Sequence, residues 1–235
     1  MLLLGTAFWI VPSSLRVTEH ALAADMPGLK GFTIAVIADP HAGGLFIDGR
    51  KLDEIVTQTN ATNPDLVLLT GDFNGGMAPA AMAQRLSRLQ ARMGVYAVLG
   101  DSDLPQGDDA PEIAPALERN GIFVLRGPYI VLGTAQGPVI LTGLNQGDGG
   151  LRRIPPTGTV LCLSATVPDI ANLPPRCALT VAGPQHADQY ALPFLRPAAI
   201  RREGGRALFV SPGIGTSGVP ARLGAAPEIS LLNIQ

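Results

Sequence analysis

Residues 32–41 read FTIAVIADPH, a continuous apolar and β-branched run that ends in aspartate, proline and histidine. Such a run predicts a strand over residues 32–38 that is buried on both faces, as strands are in the parallel sheets of α/β proteins. Asp39 and His41 follow this strand directly. They therefore stand at the carboxyl end of a buried strand, which is where open α/β sheets gather their ligands.

The segments that follow predict the α/β class. Helical spacing and apolar runs alternate regularly through the first half of the chain. The helices are expected over residues 51–61, 79–93 and 112–120, and the strands over 66–69, 95–99 and 122–125. This alternation favours parallel strands joined by crossover helices.

The second half is richer in strands and poorer in helices. We predict a hairpin from residues 129–132 and 138–142, and further strands over 159–163, 178–182 and 207–210. The simplest architecture is a single α/β domain with two packed sheets over residues 14–235, preceded by an apolar segment over residues 1–13.

Composition excludes several classes of protein. The 235 residues are 46% apolar and 15% charged with a net charge of −2, so there is no basic field for nucleic acid and no case for disorder. Two cysteines are too few for a four-cysteine zinc site. Cys162 has two interpretations, a core residue or the partner of Cys177. With three histidines in the chain, any metal chemistry must depend mainly on carboxylates.

The apolar start of the chain, residues 1–11, has three interpretations. The segment is too short for a transmembrane helix because Pro12 ends it. It also lacks the basic residues with which a signal peptide begins. The third interpretation is a segment that packs on the domain or dips into a bilayer surface. We favour this one, and it predicts peripheral membrane contact, with a cytoplasmic location as the alternative.

Acidic residues and histidines follow several of the predicted strands. They are Asp39, His41, Asp72, Asp101, Asp103 and His186. Each alone is typical of a turn or a helix cap, but their shared position at strand ends indicates one site. Carboxylates crowded together raise each other's pKa unless a cation neutralises them. Oxygen and nitrogen donors of this kind suit Mn²⁺, Zn²⁺ or Fe.

Four short motifs carry a family resemblance. They read IADPH at residues 37–41, LLTGD at 68–72, VLGDSD at 98–103 and AGPQH at 182–186. The chain resembles the calcineurin-like metallophosphoesterases, and most of all their membrane-associated bacterial branch of UDP-2,3-diacylglucosamine hydrolase-like enzymes. The resemblance implies a double β-sandwich flanked by helices, with a dinuclear metal site at the edge of the sheets.

The resemblance also assigns roles to residues. It implies that Asp39, His41, Asp72 and His186 bind the first metal and that Asp72 bridges to the second. Asp101 stands where the family has an asparagine ligand of the second metal. The glycine-rich loop at residues 213–218 matches a dinucleotide motif by its letters, but Pro220 argues against the helix such a motif needs. By resemblance this loop borders the metal site.

Three histidines of the family pattern are missing. Ser102 replaces the one that contacts phosphate, and Ala165 and Pro184 replace two metal ligands. Because alanine and proline have no side-chain donor, one firmly held ion is expected rather than two. The resemblance implies a hydrolase of phosphoester or pyrophosphate bonds, with Asp72, Asp101 and Ser102 as catalytic residues. Its substrate would be a phosphorylated small molecule or a lipid-linked one. The alternative is a binding or regulatory protein that holds one metal or none.

Overall fold

The computed structural model describes residues 13–23, 26–104, 112–126, 129–144, 154–184, 199–216, 222 and 225–235. These residues form two six-stranded mixed sheets with few flanking helices. In chain order, the strands are β1 (Arg16–Leu22), β2 (Thr33–Ile37), β3 (Leu66–Leu69), β4 (Val95–Ala97), β5 (Phe123–Val124), β6 (Ile130–Thr134), β7 (Gly137–Gly143), β8 (Thr159–Ser164), β9 (Cys177–Ala182), β10 (Ile200–Glu203), β11 (Arg206–Val210) and β12 (Glu228–Ile234). The α-helices are α1 (Gly49–Ala61), α2 (Pro79–Leu86) and α3 (Ile113–Arg119).

Each sheet contains four adjacent parallel strands. The first sheet has the order β1-β12-β2-β3-β4-β5, and β2 to β5 run parallel to one another. The second has the order β10-β11-β9-β8-β7-β6, in which β7, β8, β9 and β11 are parallel. The predicted α/β architecture of two packed sheets is therefore confirmed.

Alternation along the buried strands divides the core into layers. On β2, Ile34 and Val36 belong to the cluster that β3, β8 and β9 also line, so this cluster fills the space between the sheets. Ala35 and Ile37, the other face of the same strand, pack against the helices. A strand covered on both faces has no polar side, and this explains the unbroken apolar run.

Some predicted boundaries are wrong. The helix expected over residues 79–93 ends at Leu86, because the side chain of Asn60 bonds the chain beyond it. Its Nδ2 donates to the Arg88 carbonyl at 2.8 Å, and its Oδ1 accepts from the Gln90 N–H at 2.8 Å. These contacts turn the backbone out of the helix.

Three strands lack a clear sequence signal. They are β1, β10 and β12. In β1 the letters RVTEHAL mix charges with apolar residues because this strand lies at the edge of the first sheet and is half exposed. On it, the Nε2 of His20 lies 2.9 Å from Oε1 of Glu228, so His20 takes part in strand pairing rather than in the site. Residues 1–12 lie outside the described residues.

Cys162 and Cys177 form a disulfide that joins β8 to β9. Both interpretations of Cys162 therefore hold, since the residue is buried and also paired. The bridge closes a short loop, with a sequence separation of 15, and both cysteines belong to the apolar cluster on the outer face of the second sheet.

We expect the paired substitution Cys162→Ala and Cys177→Ala to lower the free energy of unfolding by about 3 kcal/mol. A cross-link around a loop of this length reduces the entropy of the unfolded chain, and its removal restores that entropy. Urea unfolding under oxidising conditions measures the change. Dithiothreitol should destabilise the parent and leave the variant unaffected. A variant as stable as the oxidised parent would contradict the prediction.

Candidate metal centre

The parallel strands of both sheets end at one edge, and their following residues meet there. Asp39 follows β2, Asp72 follows β3, and Ala165 follows β8. The two sheets approach each other closely at this edge. A methyl group added at Gly71, after β3 of the first sheet, would lie 2.9 Å from the Cβ of Ala165, after β8 of the second. One added at Gly183, after β9, would lie 3.0 Å from Oδ1 of Asp39.

Backbone geometry singles out three of the predicted metal ligands. Asp39, His41 and Asp72 have φ values of 48°, 41° and 54°. Among the described non-glycine residues, Asn63 alone shares a positive φ. This left-handed conformation costs about 1–3 kcal/mol per residue, so it persists where surrounding contacts impose it. One such contact is the His41 N–H, which donates to the Asp72 carbonyl at 3.0 Å.

Asp39 is a buried carboxylate whose charge is poorly compensated. Burial raises its pKa well above the ordinary value of 3.8, the nearby charges of Asp72 and Asp103 raise it further, and Arg222 acts in the opposite direction. Within the described part of the chain, its Oδ1 is buried and has no hydrogen-bond partner. A bound cation would satisfy this oxygen and relieve the repulsion, so the pair Asp39 and Asp72 fits a divalent ion.

Asp72 is held from the neighbouring strand. Its Oδ1 accepts a hydrogen bond from the backbone N–H of Ser102 at 3.1 Å. Gly100 allows this approach, since a methyl group there would lie 2.5 Å from the Cγ of Asp72. The loop after β4 therefore aims the Asp72 carboxylate.

His41 is oriented by the loop after β3. Its Nδ1 lies 3.2 Å from the carbonyl oxygen of Asn74. A proton on Nδ1 makes this contact a hydrogen bond and gives the lone pair to Nε2, which is the usual arrangement behind a histidine that binds metal.

Asp103 connects the loops after β3 and β4. Its Oδ1 accepts from the N–H groups of Phe73 at 2.7 Å and Asn74 at 3.0 Å, and its Oδ2 accepts from Gly100 at 2.9 Å. Burial raises its pKa from 3.8 to about 6, the Asp72 charge adds to this, and the three N–H donors oppose it. Its role is thus to hold the two loops in register.

The remaining predicted site residues differ in exposure and in position. Asp101 is exposed at the start of a short 3-10 helix over Asp101–Asp103, and Ser102 is half-buried within it. Ala165 lies beside Gly71, and Pro184 directly follows Gly183; neither side chain offers a donor. His186 lies outside the described residues, and within them no group of three or more His, Cys, Asp or Glu is arranged to hold a metal ion. Their roles as ligands and catalytic residues stay predictions.

The glycine-rich loop passes directly behind Asp39. The N–H groups of Ile214 and Gly215 donate to the carbonyls of Ala38 and Asp39 at 2.9 and 2.8 Å. The described residues of this loop therefore lie against Asp39, and the expectation that the loop borders a metal site stays a prediction. Sequence reasoning missed Arg222, which is buried against the loop. The available signal was a single charge in an otherwise apolar, glycine-rich stretch.

Comparisons with known proteins agree with this fold. The sequence profile described as calcineurin-like phosphoesterase matches residues 32–164, so the chain belongs to that family. The family places it among the metal-dependent hydrolases of phosphoesters. The chain is 24% identical to the uncharacterized metallophosphoesterase YkuE of Bacillus subtilis, over 98% of this chain and 89% of that protein.

Two further matches are more limited. A transmembrane protein with a metallophosphoesterase domain from Danio rerio is 24% identical over 86% of this chain, which spans 53% of that protein. The crystal structure of TT1561 from Thermus thermophilus superimposes with a TM-score of 0.50 at 14% identity, covering 79% of this chain and 91% of that one. The second match supports the fold alone. No helix in the described ranges is long and apolar enough to cross a membrane.

We expect Asp103 to make stability depend on pH. Because its pKa is raised from 3.8 to about 6 in the folded protein, the folded state keeps a proton that the unfolded state releases between these values. Its contribution to stability is full below pH 3.8 and is lost as the pH rises through about 6.

Urea unfolding of chelator-treated protein at a series of pH values tests this. Relative to Asp103→Asn, the parent should lose about 2 kcal/mol between pH ~4 and ~7. The Asn variant does not titrate and its oxygen can still accept from Phe73 and Asn74, but its Nδ2 cannot accept from the Gly100 N–H, so the comparison is of pH slopes and not of absolute stability. Equal pH slopes for the two proteins would contradict the assignment.

Proposed function

We propose that this protein hydrolyses phosphoester or pyrophosphate bonds with one divalent ion, held by Asp39, Asp72, His41 and His186. The observation that carries the proposal is the buried pair Asp39 and Asp72, with an Asp39 oxygen that has no hydrogen-bond partner in the described structure. Mn²⁺, Zn²⁺ or Fe suits such a mixture of oxygen and nitrogen donors.

One ion rather than two is supported by the residues around the pair. Ala165 and Pro184 stand at positions where the family has histidine ligands; Ala165 lies beside Gly71, and Pro184 directly follows Gly183. Asp101 faces solvent. A second ion would therefore rest on Asp72 and Asp101 alone among the assigned residues, which leaves most of its coordination to water.

The chemistry follows from this donor set. A bound divalent ion would act as a Lewis acid and lower the pKa of a water molecule toward ~7. Asp72 is held in place by the Ser102 N–H. The Ser102 hydroxyl can donate a hydrogen bond to a phosphate oxygen, but it cannot protonate a leaving group at neutral pH as histidine does. General acid catalysis supplies roughly 10²–10⁴-fold, so slow turnover or a good leaving group is expected.

A lipid-linked substrate is supported by two exposed leucines. Leu45 is 66% exposed and Leu104 is 41% exposed, and they lie on the loops that continue from His41 and Asp103. Large exposed apolar side chains on loops that continue from a polar site suit a substrate with both a phosphate and an apolar chain. Peripheral membrane contact through residues 1–13 belongs to the same proposal, as does membership of the UDP-2,3-diacylglucosamine hydrolase-like branch.

The second candidate is a binding or regulatory protein without turnover. It is favoured by the same missing donors at Ser102, Ala165 and Pro184, which leave neither a complete second ion site nor a general acid. In that case the carboxylate pair would hold a structural ion or none.

Hydrolysis of bis(p-nitrophenyl) phosphate with Mn²⁺ tests the first candidate. We expect Asp72→Asn to reduce turnover by ~100-fold or more, because the Lewis acid supplies several kcal/mol. Asp65→Asn is the matched control, since Asp65 is an ion-paired aspartate that precedes β3 at the opposite end of the sheet.

Elemental analysis of protein purified without chelator accompanies the assay, and one metal per chain is expected. Two metals per chain would contradict the single-ion site. No turnover in the parent, together with a gain after Ser102→His, Ala165→His and Pro184→His, would favour the second candidate.

The apolar surface is tested with two chromogenic diesters, ethyl and dodecyl p-nitrophenyl phosphate. The parent should prefer the dodecyl ester, and Leu45→Ser with Leu104→Ser should reduce that preference in kcat/KM by ~10-fold, as expected for partial burial of two leucines. Phe123→Ser is the control, because Phe123 is 54% exposed on the edge strand β5. An equal preference in parent and double variant would contradict a role for these leucines.

A further inference from the structure

We propose that Arg222 is a positioning residue of the cation site, which it serves by clamping the loop that holds Asp39 in its left-handed conformation. The proposal rests on the proposed function to the extent that Asp39 binds a cation. Arg222 touches neither the ion nor the substrate in this proposal, and it acts through the backbone.

The Arg222 side chain is fully enclosed, with 1% of its surface exposed. Its Nε and Nη2 donate to the Gly215 carbonyl at 3.0 and 2.5 Å. Its Nη1 donates to the carbonyls of Pro212 at 3.1 Å and Ala225 at 3.3 Å. One guanidinium therefore joins both ends of the loop 212–215 to the chain that enters β12.

The clamped loop in turn grips the peptide groups around Asp39. The N–H groups of Ile214 and Gly215 donate to the carbonyl oxygens of Ala38 and Asp39, which belong to the two peptide groups that flank the Asp39 Cα. The fit is tight, since a methyl group at Gly215 would lie 2.5 Å from the Asp39 carbonyl oxygen and 2.8 Å from that of Pro40. Because a left-handed aspartate is strained, it needs such external bonds to persist.

Arginine suits this task because its planar group offers five donors in a fixed fork. A lysine carries the same charge but cannot satisfy three carbonyls in the same geometry. Charge and geometry also make opposite predictions. The positive charge beside Asp39 repels a cation, so its removal alone would strengthen cation binding. Loss of the clamp would weaken cation binding, because the Asp39 carboxylate would no longer be held in position.

Calorimetric titration of Mn²⁺ into chelator-treated protein separates these effects. We expect Arg222→Lys and Arg222→Met each to weaken Mn²⁺ binding by about 10- to 100-fold, the usual effect of losing a group that orients a ligand. Unchanged or tighter binding by Arg222→Met would overturn the proposal. Parent-like binding by Arg222→Lys would also overturn it, since the charge would then suffice.

Gly215→Ala provides a test that leaves Arg222 in place. The added methyl group should push the loop from Asp39 and weaken Mn²⁺ binding, and its effect should not add to that of Arg222→Lys because both act through one contact. Independent, additive effects would overturn the shared clamp.

Arg176→Met is the matched control. Arg176 also binds carbonyl oxygens, including that of Pro156 at 3.2 Å, but it precedes β9 at the far end of the second sheet. This variant should bind Mn²⁺ as the parent does, and an equal loss would overturn the proposal. A parent that binds Mn²⁺ without turnover refutes the hydrolase and leaves Arg222 testable. A parent that binds no Mn²⁺ refutes both.

Discussion

Asp39 and Asp72 are buried close together, and their repulsion is the constraint on which the rest of the site depends. Burial raises the pKa of Asp39 and the Asp72 charge raises it further, so the Asp39 charge is poorly compensated. Both residues also adopt a left-handed backbone that costs energy. A bound divalent ion would offset both costs, and the calcineurin-like phosphoesterase family, to which the chain belongs, uses divalent metals in phosphoester hydrolysis.

Segments distant in the chain provide the support. Asp103, from the loop after β4, accepts three N–H groups and keeps the Asp72 loop in register. Arg222, near the C-terminus, holds the loop that bonds the Asp39 backbone. The two carboxylates are thus aimed by different parts of the fold. This division explains why the C-terminal stretch, which carries no predicted ligand, lies against the site.

Ala165 and Pro184, which replace two histidine ligands of the family pattern, follow strands that end at the same edge of the sheets. Neither side chain can bind a metal ion, so the residue beside Gly71 and the residue after Gly183 supply no further ligand at this edge. In the proposed hydrolase, serine stands at position 102 in place of the family's histidine, so the site would bind a cation and a phosphate but would lack a side chain that protonates the leaving group. The proposed preference for one ion and the proposed slow turnover share this origin.

Local patterns were sufficient for the buried strands and for the place of the site. An unbroken apolar run such as that of β2 has one stable environment, and parallel strands bring the residues after them to one edge. The sequence alone therefore determined the α/β class and the meeting of Asp39 with Asp72. Contacts between distant residues decided the rest. Asn60 ended α2 early, and the edge strand β1 depended on β12 as its partner. Asp101 and Asp103 look alike in GDSD, yet one faces solvent and the other is buried. An arginine is usually a surface residue, but in the folded chain Arg222 is buried among the carbonyl oxygens that accept its hydrogen bonds. The physical reason is that burial and hydrogen-bond partners are set by which segments pack together, and no local pattern records this.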